Sequence, residues 1–120
     1  MPGAGDVWSS VGDLARFTTA IHTGTLLSPA SRQIRVTPHA PVPEQSAAQR
    51  PVNSRSYGYA VLIGTIAGHT AYFHPGDNPG YRSFTAWLPE HRTAIAVLSN
   101  DETTDIDGVV QRVIRAVLPP

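Results

Sequence analysis

Apolar residues recur at Val11, Leu14, Phe17 and Ile21, the spacing of a single helical face. Ser10 and Asp13 frame the start of that run as a capping box, with side chains satisfying the free N–H groups of the first turn, and Gly24 is a natural stop. Ser28-Pro29 reads as an N-cap followed by Pro at the first position of a short helix running to about Val36. Further on the period changes. Tyr57 to Ile63, His69 to Phe73, Arg82 to Leu88 and Thr93 to Ser99 read as strands, with Gly64 to Gly68 permitting a turn between the first two. Thr93 to Leu98 is apolar on both faces, which predicts a place inside the sheet with cover on both sides. Thr104 and Asp107 form a second capping box. After it Ile106, Val109, Val110, Val113, Ile114, Val117 and Leu118 make the cleanest apolar stripe in the chain. This helix is expected to lie across the sheet.

Two stretches lack such a period. Residues 37–56 are rich in Pro, Ser, Gln and Arg and read as a long loop, either mobile or packed against something outside the chain. His74-Pro75-Gly76-Asp77-Asn78-Pro79-Gly80-Tyr81 reads as a loop interrupting the β-run, because Pro donates no N–H and Gly tolerates φ > 0. The reading is an α+β fold: an antiparallel sheet of about four strands, a C-terminal helix packed on it, and two helices leading in.

Composition narrows the function more by exclusion than by assertion. The 120 residues amount to one domain or part of one. Nine basic and nine acidic residues balance, so neither nucleic acid nor a charged surface is an expected partner. There is no Cys, which excludes disulfides and thiolate metal sites. No apolar run reaches the ~18 residues of a membrane span, and the first six residues do not have the form of a signal peptide. No membrane partner is expected, and the compartment stays open. All nine basic residues are Arg, so any chemistry needing a Lys must obtain it from another segment.

Among the side chains, His74 is the main candidate. An imidazole at a strand end, followed by Gly76, can place a proton carrier beside exposed backbone N–H groups able to hold an oxyanion. The same residues are equally those of a Gly/Pro turn with a surface His. The five His include no HxxxH pair and no three close in sequence, so neither a metal nor another cofactor is expected. GxSxG, GxxxxGK[ST] and GxGxxG are absent. A triad of Ser83, His74 and Asp101 is conceivable, but Ser83 sits in a strand pattern rather than on a strained turn. Asn100-Asp101 reads as turn residues bonding local backbone.

Several of these segments, taken in order, resemble one family. Ser9-Ser10-Val11-Gly12-Asp13-Leu14-Ala15-Arg16-Phe17 resembles a helix of the serine β-lactamase-like hydrolases of the class C type, which are related to D-alanyl-D-alanine carboxypeptidases and certain esterases. Gly24-Thr25-Leu26-Leu27-Ser28-Pro29-Ala30-Ser31 and Tyr57-Gly58-Tyr59 resemble the segments that follow. His74-Pro75-Gly76 resembles the third catalytic box, usually KTG or HxG. Pro79-Gly80-Tyr81-Arg82-Ser83 and Val97-Leu98-Ser99-Asn100 resemble the entry to the next strand and the end of the last.

The resemblance implies a partial β-lactamase/transpeptidase-like fold, with residues 1–120 as the C-terminal third of a hydrolase domain. It implies His74 in the proton-handling position, Gly76 allowing the backbone to approach substrate, and the Asp77 N–H as oxyanion donor. Pro75, Asn78 and Tyr81 would line the substrate side. The substrate would be a small-molecule ester, amide or β-lactam. The family's nucleophile is the Ser of SxxK, assisted by the Tyr of YxN. SxxK is impossible here without Lys, and Tyr81-Arg82-Ser83 follows the third box instead of preceding it. The chain alone is therefore expected to be inactive. Pro75 stands where Thr or Ser is common. Without hydroxyl or N–H it removes a partner for a substrate carboxylate worth about 1–3 kcal/mol, which favours esterase-like chemistry. Pro75 also requires an unpaired strand side, as beside an open cleft. The alternative is a non-catalytic remnant or binding module using the same sheet and cleft. Self-association through an unpaired sheet edge is a further expectation.

Overall fold

The computed structural model describes residues 2–43 and 52–120. The chain opens with helices α1 (Val11–Thr23) and α2 (Pro29–Arg35). Strands follow as β1 (Ala40–Pro41), β2 (Val52–Tyr57), β3 (Leu62–Ile66), β4 (His69–Asn78), β5 (Tyr81–Leu88) and β6 (Thr93–Ser99), and helix α3 (Ile106–Val117) closes the chain. Each helix start has a local cause. The Ser10 side chain accepts from the Asp13 N–H, and Ser28 accepts from Ser31 N–H with Pro29 next to it. For α3 the cap is Asp105, whose carboxylate accepts from Gly108 N–H. This is one residue later than the Thr104 box predicts, since the Thr104 hydroxyl is bonded to Ser99 Oγ at 2.7 Å.

The strands form one antiparallel sheet in the order β1-β2-β3-β4-β5-β6. The α+β class and the C-terminal helix match the sequence reading; the strand count is six among the described residues, not about four. The additional strands come from segments 37–56 and 57–63. Ala40–Pro41 pairs with β2, and Val52–Tyr57 pairs with β3, so the supposed long loop contains two strands; residues 44–51 lie outside the described part. Strand β2 is polar (VNSRSY), and its neighbour in the ladder, not an apolar period, holds it extended. Tyr57 to Ile63 is not one strand. Gly58 N–H reaches the Val61 carbonyl at 2.8 Å and Ala60 turns the chain at φ 52, so the segment folds into a hairpin.

The stretch 74–81 is likewise strand for most of its length. Strand β3 stops at the pair Leu62↔Phe73, while β4 continues to Asn78, paired among the described residues with β5 alone. A Pro is tolerated there because one side of the strand has no ladder to serve. The reversal is confined to Pro79-Gly80, with Gly80 at φ 81, the Pro-then-Gly order of a type II turn.

Side chains alternate across the sheet. On one face Phe73, Phe84, Ala86, Leu88 and Ile95 pack against Ile106, Val110 and Ile114 of α3. The Phe73 and Phe84 rings stack at 5.6 Å. Burying each large apolar side chain of this set contributes about 1.5–3 kcal/mol. The other face carries α1, which lies over β5 and β6. Strand β6 therefore has cover on both faces as its composition predicts, but it stands at the edge of the sheet, not inside it. The α1 stripe is less buried than its period implies: Leu14 and Ile21 are half-buried, while Val11 and Phe17 are half exposed.

Candidate active-site cleft

Between α1, the end of α2 and the sheet lies a cleft of about 310 Å³. Leu14, Phe17 and Ile21 form its apolar wall, Tyr72 and Thr85 its floor, and His74 its rim. Strand alternation produces this division: Phe73 goes to the core under α3, and its neighbours Tyr72 and His74 go to the cleft side.

The His74 ring is exposed and held at both nitrogens. Its Nδ1 lies 2.6 Å from the Pro75 carbonyl. A carbonyl oxygen only accepts, so Nδ1 carries the proton. In the neutral ring Nε2 then accepts from the Tyr57 hydroxyl, 3.1 Å away. A tautomer fixed by backbone, with the other nitrogen facing a hydroxyl, is the arrangement of a group that takes up a proton.

Deeper in the cleft is a second imidazole. His22 of α1 stacks on Tyr72 at 5.8 Å and on Trp87 at 5.6 Å, nearly parallel to both. Arg35 of α2 reaches its Nε2 at 3.4 Å and also donates to the Ala60 carbonyl. Burial, reinforced by the Arg35 charge, pushes the His22 pKa down to about 4, so its ring is neutral over the physiological range. Burial likewise lowers Arg35, and nearby Tyr57 acts in the opposite sense. The sequence reading assigned α1 no functional side chain. The available signal was phase: His22 falls four residues after Thr18 and eight after Leu14, on the face that meets the sheet. Arg35 carried no comparable signal, since its contacts come from segments distant in sequence.

The remaining candidates lie along β4 and its turn. Gly76 pairs with Ser83, and a Cβ at Gly76 would collide with Ser83 Oγ. Asp77 is ion-paired with Arg82, whose Nε also donates to the Glu102 carbonyl at 2.7 Å. Asn78 donates from its side-chain amide to the Gly5 carbonyl at 3.2 Å. Tyr81 is exposed and Pro75 half-buried. The geometry thus gathers His74, Tyr57, His22 and Arg35 around the cleft, while Asp77, Asn78 and Tyr81 stand towards the far end of the β4–β5 hairpin.

Ser83, His74 and Asp101 do not form a triad. Ser83 faces Gly76, and Asp101 accepts from both the N–H and the hydroxyl of Thr103. Those bonds hold the Asp101 carboxyl below its usual range and make it a local turn residue, as the sequence predicts.

Helices lie on both faces of the antiparallel sheet, and an imidazole stands at the mouth of a cleft beside a strand half that, among the described residues, is paired on one side only. The chain belongs to the Beta-lactamase family, whose family model matches residues 1–118. The fold is accordingly that of a serine hydrolase-like, β-lactamase-like protein of the α+β class. No curated protein and no solved structure matches the chain. Among the described residues no helix is long and apolar enough to cross a membrane.

Proposed function

We propose that this chain supplies the third-box side of a β-lactamase-like serine hydrolase site acting on a small ester, amide or β-lactam. The observation that carries the reading is the second half of β4, paired on one side only among the described residues, with His74 at the cleft mouth. Its backbone parity supports the assignment of an oxyanion donor. Pro75 offers a carbonyl but no N–H, and that carbonyl is taken by His74 itself. Residues two apart in a strand aim their N–H and C=O groups the same way, so the Asp77 N–H shares the free edge with the Pro75 carbonyl. In this role His74 handles the proton of the reacting group, with Tyr57 as its hydrogen-bonded partner. The free-edge N–H stabilises the negative charge that develops on the carbonyl oxygen. Arg35 is the cation of the cleft wall.

The sequence has no Lys, so the Ser and Lys of the family's SxxK nucleophile motif, together with the Tyr of YxN, would come from residues outside it. In that arrangement residues 1–120 form a partial domain and no acyl-enzyme forms on this chain alone. The test is a completed enzyme, with this chain joined to a segment bearing SxxK and YxN. His74→Ala should lower its turnover of a p-nitrophenyl ester by about 10²-fold or more while leaving the melting temperature nearly unchanged. Full activity with a collapsed melt would make His74 structural and remove the assignment.

A second reading is a non-catalytic binding module. It is favoured by the two bonds that already engage His74 and by the apolar cleft wall beside stacked, neutral His22. In the completed enzyme this reading predicts no turnover with or without His74.

A further inference from the structure

At the opposite end of β4 from Asn78, two hairpin turns come side by side. The β3–β4 turn is the two-residue kind, with Ala67 at φ 49 and Gly68 at φ 83, closed by the pair Ile66↔His69. Two successive residues with positive φ match the twist of the flanking strands and hold a hairpin tightly. His69 is therefore fixed at the first position of β4. The β5–β6 connection runs from Pro89 to Arg92, closed by Leu88↔Thr93. His91 N–H donates to the Leu88 carbonyl at 3.2 Å, and the Thr93 hydroxyl donates to the His91 carbonyl at 2.9 Å. Arg92 at φ 47 completes the reversal. Three residues beyond the pair Tyr72↔Trp87, the two turns bring His69 beside Glu90.

The result is a cluster of three metal-ligating side chains. His91 Nε2 lies 3.0 Å from His69 Nδ1, and the ligand atoms of His69, Glu90 and His91 all lie within 4.8 Å of one another. Both rings are half-buried and meet edge to face at 4.8 Å. The Thr70 hydroxyl donates to Glu90 Oε1 at 3.1 Å, which orients the carboxylate.

We propose that His69, Glu90 and His91 bind one divalent transition-metal ion, zinc by preference, which ties the β3–β4 and β5–β6 turns together. Zn–N bonds of about 2.0–2.1 Å at a tetrahedral centre place two ligating nitrogens about 3.3 Å apart, close to the separation of these two rings. Two imidazoles and a carboxylate suit zinc, cobalt, nickel or copper; magnesium and calcium prefer sites made wholly of oxygen. Three protein ligands leave a fourth position for water. The Thr70 hydroxyl is an outer partner of the kind that holds a ligand in register. Without metal the two ring nitrogens share one proton in an N–H···N bond. On binding, the ring that holds this proton takes its other tautomer, with the N–H on its outward nitrogen, so both facing nitrogens offer a lone pair to the ion. The ion would sit five residues along β4 from His74, roughly 16 Å at the usual strand rise, and so would not enter the cleft chemistry.

The test uses the full chain with Zn²⁺ by calorimetry, Co²⁺ by visible absorption, and circular dichroism to confirm folding of each variant. The expected result is one saturable equivalent, d–d bands of a four-coordinate cobalt centre, and a melting temperature that rises with Zn²⁺. His69→Gln and His91→Gln should each weaken binding by at least about 100-fold, and Thr70→Val by about 10-fold. His39→Gln, far from the cluster in sequence, should leave it unchanged. Folded chain showing no saturable binding at millimolar Zn²⁺ would overturn the proposal. So would a single equivalent that survives replacement of both His69 and His91.

Discussion

Two imidazoles facing one cleft have opposite characters because of where their rings lie. His74 is exposed and tethered by two hydrogen bonds; His22 is stacked on Tyr72 and on Trp87 with Arg35 at its edge. Protonating His22 places a charge in an apolar stack beside a guanidinium. Its pKa falls from 6.5 to about 4 on folding, so below pH 6.5 the unfolded chain takes up the proton more readily. The stability contributed by the neutral ring is fully present above about pH 6.5. It is lost as pH falls toward about 4. Allowing for the ring's partial exposure to solvent, the loss amounts to about 1–2 kcal/mol. Melts between pH 7.5 and 4.5 should show this decline, and His22→Phe should flatten it. An unchanged slope in the variant would assign the acid sensitivity to other groups. Asp101 also favours its charged form in the folded chain, but its carboxyl titrates below that window.

At the scale of elements, the helices were more legible than the strands. Ser10, Ser28 and the Ile106-Val110-Ile114 stripe mark helices through contacts a few residues apart, and those are written in sequence. Strand β2 is held by β3, and β4 runs through Pro75 and Gly76 because β5 continues alongside; neither fact is local. The candidate site divides in the same way. His74 could be singled out from its place in a short motif. Its partner Tyr57, the second imidazole His22 and the guanidinium of Arg35 meet only through the fold. The His69-Glu90-His91 cluster joins two hairpins, so no sequence spacing announces it. Gly76 illustrates an element-level constraint. Gly76→Ala should destabilise the chain by about 1–3 kcal/mol in urea unfolding, because the added methyl meets Ser83 Oγ. Adding Ser83→Ala should recover most of that loss, since Ser83 Cβ is at an ordinary 3.4 Å from the position of the added methyl. A neutral Gly76→Ala, or a double variant no better than the single, would contradict the packing argument.

At the scale of the molecule, α1 and α3 on opposite faces of an antiparallel sheet, six-stranded among the described residues, account for the core and, with the end of α2, for the cleft. The α3 side is packed and apolar and holds the strands in register. The α1 side is only partly filled, and the gap beneath it, next to the free half of β4, is where the candidate chemistry lies. Family membership extends over residues 1–118, yet the sequence contains no Lys for the family's nucleophile motif. The central proposal is a division of labour, in which this chain would carry the proton-handling and oxyanion side of a hydrolase site and not its nucleophile. Intact-mass spectrometry of the chain after incubation with a fluorophosphonate probe and with a β-lactam tests it most directly. The account predicts an unmodified mass with both reagents. A stoichiometric adduct on a single Ser would contradict it.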